Sequence, residues 1–195
     1  ILVIIPLSFN VEPFFSFTEG MLTLQPEAYS LRWYKAIFDD PKWVLAIQNS
    51  FLIGIFATLL ATVLGTCAAV GLARDDMPYR RLITALLLSP MIVPLIITAA
   101  GMFFFYSDLG LAGNYLGVII AHAALGTPFV IITVTATLTG FDYSLARAAL
   151  NLGATPLRVF FDIIMPLIRP GVISGALFAF ITSFDEVVVI LFMAG

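Results

Sequence analysis

A chain of 195 residues that is 61% hydrophobic and only 11% charged lies far from ordinary soluble domains, which carry roughly 25% charged residues. Its net charge of −3 offers no basic face for nucleic acid, its one cysteine forms no intrachain disulfide, and its one histidine lacks the second ligand of an H-E-x-x-H metalloprotease. A mean hydropathy of +1.08 marks a multi-span membrane protein.

The opening ILVIIPL is too short to cross a bilayer and has no basic run before it, so residues 1–7 read as the end of an earlier helix rather than a signal peptide. Residues 8–42 are expected as an external segment. Within it Ser30-Leu31-Arg32-Trp33-Tyr34 predicts a short helix on the membrane surface, its rings at headgroup level, acting as an anchor.

Three spans are expected at 43–73, 82–107 and 115–140, because each lies in a charge-free run longer than the roughly 20 residues a crossing needs. Ala57, Ala61, Gly65 and Ala69 recur at every fourth position, a ridge of small side chains that admits a neighbouring helix closely. Pro90, Pro94 and Pro128 each remove a backbone donor and should kink their spans, whether for static packing or beside a path. His122 is expected as a buried histidine hydrogen-bonded across helices.

The polar interruption 141–170 predicts two helices joined by a fixed turn. Leu145, Ala148, Ala149 and Leu152 fall on one small-residue apolar face, while Arg147 and Asn151 point elsewhere. Gly153 sits where that helix would stop, Thr155 is a good N-cap, and Pro156 suits the first position of a second helix. Pro166 and Pro170 are expected to end it.

The last span, 171–195, carries Asp185-Glu186. A rise of 1.5 Å per residue puts the pair roughly 20 Å beyond Gly171, where an ionised carboxylate facing lipid costs at least about 2.5 kcal/mol. Neither therefore faces lipid. In a continuous helix only one of two adjacent residues lines a central path, and the other needs a protein partner. Alternatively Ser183-Phe184-Asp185-Glu186, which has the form of a capping box, breaks the span and opens both carboxylates to a cavity. Arg74, Arg80, Arg81, Arg147, Arg158 and Arg169 lie on one side, against Arg32, Lys35 and Lys42 on the other, which places the 141–170 loop in the cytoplasm.

Ala148-Ala149, Leu152-Gly153-Ala154, Met165-Pro166 and Ile168-Arg169-Pro170-Gly171 resemble the signature cytoplasmic loop of permease subunits of bacterial ABC importers, the binding-protein-dependent type I importer family. The family pattern usually has a glutamate where this chain has Arg147, which inverts the charge offered there. FITSFDEVVVILFMAG looks like the corresponding helix of spermidine/putrescine permeases, and SLRWY-like runs are frequent in the same branch.

The resemblance implies an all-α membrane protein, a polytopic helical bundle of the type I ABC importer permease fold with about five of six transmembrane helices and a cytoplasmic coupling helix. It assigns Leu145, Arg147, Ala148, Ala149, Leu152, Gly153 and Pro166 to ATPase coupling. Charge adds Asp185, Glu186 and Phe184 as a path for a cation, because carboxylates and aromatic faces complement polyamine ammonium groups. The implied partners are an ATP-binding subunit dimer, a second permease subunit and an extracytoplasmic substrate-binding protein, in a bacterial cytoplasmic (inner) membrane.

The chain has no G-x-x-x-x-G-K-[ST] phosphate loop, so no cofactor is expected on it, and ATP and Mg belong to the partner ATPase. Two alternatives stand beside a polyamine. One is a permease of the same scaffold for iron, thiamine, an opine or a phosphonate; the other is an ion-coupled secondary transporter or channel using Asp185 or Glu186.

Overall fold

Long runs of Leu, Ile, Val, Ala and Phe give the backbone no hydrogen-bond partner in lipid except itself, and helix is the local solution. The computed structural model describes residues 3–14, 16–74 and 76–193. In chain order these form α1 (Ile4–Leu7), α2 (Glu19–Leu22), a 3₁₀ turn (Pro26–Ala28), α3 (Arg32–Asp39), α4 (Pro41–Leu72), α5 (Arg80–Ile92) and α6 (Leu95–Asp108). There follow α7 (Tyr115–Leu138), α8 (Tyr143–Asn151), α9 (Pro156–Val159), a π-helical turn (Phe160–Ile164), α10 (Met165–Asp185) and α11 (Val188–Met193). No strand occurs among the described residues.

The chain divides into two units, Ile1–Asn49 and Ser50–Gly195. In the first, the buried Asn10 organises the irregular backbone: its Nδ2 donates to the Phe14 and Ser16 carbonyls at 3.1 and 2.9 Å, and its Oδ1 accepts from Glu12 N at 2.9 Å. The aromatic pair expected to sit among headgroups has internal partners as well. Trp33 Nε1 donates to the Asn10 carbonyl at 2.9 Å, Tyr34 Oη and Ser8 Oγ lie 2.6 Å apart, and the Arg32 guanidinium stacks 4.3 Å from the centre of the Trp33 ring.

In the second unit α7 is the most enclosed long helix, and its largest interface is with α10. Glycines set that contact. A Cβ at Gly175 would lie 2.5 Å from Thr133 Oγ1 and 2.8 Å from Val130 Cα; one at Gly171 would meet Thr137 Oγ1 at 2.6 Å. The small ridge of α4 is buried at Ala57, Ala61, Gly65 and Ala69, with a Cβ at Gly65 falling 2.6 Å from Val130 Cβ. Close approach of this kind replaces the hydrophobic drive that lipid removes.

Helices Pro41–Leu72, Tyr115–Leu138 and Pro156–Asp185 are each long and apolar enough to cross a membrane. The stretch expected as one kinked span at 82–107 is α5 and α6, bent by 107°. Pro94 is the cause: it disfavours helical backbone at the residue before it, and Val93 is extended at φ −73°, ψ 136°. At 13 and 14 residues the two arms reach about 20 Å each, short of the roughly 30 Å hydrocarbon core.

The expected stop at Pro166 and Pro170 does not occur either, since α9, the π turn and α10 run on as one helix from Pro156 to Asp185. In α geometry the Pro166 ring would press on the Asp162 carbonyl four residues back. The wider π turn placed immediately before Met165 relieves that clash.

Candidate functional site

The loop between α7 and α10 is built from local chemistry. Asp142 caps α8, its carboxylate accepting from Ser144 N at 2.8 Å. Hydrogen bonds from Ser144 lead in holding the Asp142 carboxyl below the ordinary carboxylate range, and the Arg147 charge adds to them. A depressed carboxyl gives a cap that is complete at neutral pH and lost only as acid takes pH through that lowered value. Arg147, the departure from the family pattern, thus acts on the start of its own helix.

The far end of α8 closes with a Schellman motif: Ala154 N donates to the Ala149 carbonyl and Gly153 N to the Leu150 carbonyl, both at 3.0 Å, around Gly153 at φ +89°. Thr155 Oγ1 then caps α9 by accepting from Arg158 N at 3.4 Å, and Pro156 takes the first helical position. The motif rather than solvent fixes the angle between the two helices.

Only Ala146 on α8 is buried against the chain. Leu145 and Leu152 are 50% and 89% exposed, Ala148 and Arg147 are exposed, and Ala149 is half-buried. A groove of about 300 Å³ runs between α8 and α9, lined by Ala149, Leu152, Gly153, Arg158 and Asp162. Pro166 stands apart from it, exposed on α10. The helix is thus capped at both ends and leaves an apolar face, with Leu145 and Leu152, uncovered by the chain.

The acidic pair lies where the helix ends. Backbone at Glu186 turns extended, at φ −79° and ψ 108°, which closes α10 at Asp185 before α11 begins at Val188. Glu186 is buried, and its Oε1 accepts from Val189 N at 2.9 Å, capping α11. Asp185 stays exposed, in a groove of about 350 Å³ lined also by Leu95, Ile181, Thr182, Glu186, Val187 and Val188. Of the two alternatives, a continuous helix and a break at the S-x-x-E pattern, the break is present, with a different bond holding it. Ser183 Oγ caps nothing; it shares a 2.8 Å hydrogen bond with His122 Nδ1 of α7.

Phe184 is 47% exposed and packs edge-on against Phe51 of α4, ring centres 5.3 Å apart, and stacks on Phe180 at 5.6 Å. Phe51 is the neighbour of Phe184 that sequence reasoning left out, while His122 is buried and hydrogen-bonded across helices as expected. Phe180 and Phe184 share a face by their four-residue spacing, but nothing in the sequence places Phe51 beside them.

His122 is 1% exposed, and its Nε2 is buried without a partner. Interhelical hydrogen bonds within membranes average about 0.6 kcal/mol, whereas an unmet buried polar atom costs about 1–3 kcal/mol. The imidazole thus brings one bond across the helices and, among the described residues, one buried nitrogen without a partner.

Residues 61–195 match the family described as binding-protein-dependent transport system inner membrane component. Among its relatives, the spermidine/putrescine transport system permease protein PotC of Haemophilus influenzae is 31% identical over 180 residues, 92% of this chain and 70% of the relative. The putrescine transport system permease protein PotI of Escherichia coli strain K12 is 33% identical over 192 residues, 93% of this chain and 67% of the relative.

Among solved structures, a bacterial ABC transporter involved in the import of the acidic polysaccharide alginate superposes with a TM-score of 0.69 at 19% identity, and shows the fold. The match covers 93% of this chain and 62% of that one. With a family match over 61–195 and apolar helices built to cross lipid, the chain is a multi-pass membrane protein belonging to the binding-protein-dependent transport system inner membrane component family.

Proposed function

We propose that this chain forms half of the translocation path of an ATP-driven importer for a polyamine such as putrescine or spermidine. The observation that carries the substrate reading is Asp185, exposed in a groove at a helix break, with the Phe51, Phe180 and Phe184 rings in the same stretch of the bundle. A carboxylate and aromatic faces complement a flexible diammonium chain better than they complement an anion. The names of the PotC and PotI relatives support the same class.

The exposed face of α8 supports coupling to a separate ATP-binding subunit dimer, which supplies ATP and Mg. Leu145, Ala148 and Leu152 seat in that partner, Gly153 fixes the turn, and Pro166 belongs to the helix that carries the motion onward. A second permease subunit completes the path, a substrate-binding protein delivers the solute outside, and the assembly sits in a bacterial cytoplasmic membrane.

The test is uptake of radiolabelled putrescine by the complex reconstituted with its neighbouring subunits. Asp185→Asn with Glu186→Gln is expected to lower ATP-dependent uptake at least about tenfold while the complex still assembles, because the charge that attracts an ammonium group is gone and the shapes are kept. Undiminished uptake by the double variant removes the pair from the path. ATP-dependent uptake of iron or thiamine, with no competition by putrescine, assigns the scaffold to another solute.

A further inference from the structure

We propose that His122 is a positioning residue for the substrate path: through Ser183 it fixes the last turn of α10, and so sets where the span breaks and where Asp185 points. The inference rests on the reading of Asp185 as a path residue. Two blocks meet at the break, both packed on α7. Below the break, α10 is locked to α7, with a Cβ at Gly126 falling 3.0 Å from Ala179 Cβ and the Gly171 and Gly175 contacts closer still. Above it, α11 is held by the buried Val189 and Met193 and by the 2.8 Å hydrogen bond from Gly113 N to the Met193 carbonyl.

Glu186 and Val187 are the joint between these blocks. Two side-chain bonds flank it among the described residues: His122 Nδ1 to Ser183 Oγ, across helices and 61 residues apart, and Glu186 Oε1 to Val189 N. Ser183 and Glu186 are three residues apart and share a helix face, so an anchor at Ser183 holds the face on which Glu186 turns inward. Asp185, about 100° around the helix, is then delivered to the groove. Packing alone does not call for the ring, since an aliphatic side chain would fill the space without a buried unmet nitrogen. What the imidazole contributes is a directional bond at the joint.

The experiment labels Asp185→Cys with a membrane-impermeant maleimide in the assembled complex, on a Cys67→Ala background. Adding His122→Leu is expected to slow labelling about fivefold, equivalent to about 1 kcal/mol and so between the average and the strongest interhelical hydrogen bonds. Ser183→Ala should repeat the loss. His122→Asn, whose amide reaches the Nδ1 position, should restore labelling to within about twofold.

In complexes keeping Asp185, His122→Leu should raise the KM for putrescine about fivefold with Vmax unchanged, and adding Ser183→Ala should make it no worse. Unmoved labelling overturns the proposal, as does a fall in Vmax alone or failure of Asn to rescue. If the native complex takes up no polyamine and labelling still follows this pattern, the polyamine reading fails and the positioning role stands.

Discussion

Gly153→Val is expected to leave ATP hydrolysis running while uptake falls. Gly153 lies at φ +89° in the Schellman motif that joins α8 to α9, and a Cβ there would meet nothing within 4 Å. Space is therefore not the constraint; backbone conformation is. A left-handed residue other than glycine costs roughly 1–2 kcal/mol, and a β-branched one more, so the capped turn loses population about five- to thirtyfold. The ATP-binding partner keeps its own chemistry, but the turn that fixes α8 against α9 no longer holds its angle. The ratio of putrescine taken up to ATP hydrolysed in proteoliposomes measures this. Gly153→Asn, which visits the left-handed region readily, should lie near the native ratio. A native ratio in Gly153→Val would remove the turn from the coupling route.

Gly175→Val acts on assembly. The new side chain would sit 2.5 Å from Thr133 Oγ1 and 2.8 Å from Val130 Cα, and the second of these is backbone, which cannot step aside. Overpacking of this kind costs about 1–3 kcal/mol, and the α7–α10 interface has no slack elsewhere, because Gly171 is as tightly met one turn below. The apparent melting temperature of the solubilised complex should fall by about 5 °C. Ser174→Val, exposed on the same helix, should melt within about 1 °C of native. Equal melting of the two variants would show that α7 and α10 do not pack through Gly175.

What was legible in advance was legible for a local reason. Gly153, Thr155 and Pro156 act within four residues of themselves, so a turn, a cap and a helix start can be read without knowing the fold. The ridge at Ala57, Ala61, Gly65 and Ala69 is likewise a property of one helix. Pro166 misled because a proline inside a helix removes a bond and crowds the turn before it without always ending the helix: the π turn makes room ahead of Pro166, and Pro170 stays inside α10.

Ser183-x-x-Glu186 led to the right break by the wrong bond. Its serine is held by His122, 61 residues away, and a pairing at that separation has no trace in local spacing. Phe51 was missed in the same way. The bend at Val93–Pro94 was foreseen as a kink, but its 107° angle depends on what α5 and α6 pack against.

The π turn at Phe160–Ile164 has a consequence for direction rather than for strength. Pro156 to Asp185 is one rod of 30 residues, about 45 Å long, with the Gly153 turn at one end and the Asp185 groove at the other. A π turn adds one residue to the helical count, so it rotates everything beyond it relative to everything before. Recasting those residues as α-helix at unchanged chain length would swing Asp185 about 100° around the axis, whereas deleting one residue along with the change would leave its phase nearly as it is. The turn thus works as an indexing tooth. It sets the angular phase between the two ends, and with it the side of the helix from which Asp185 projects.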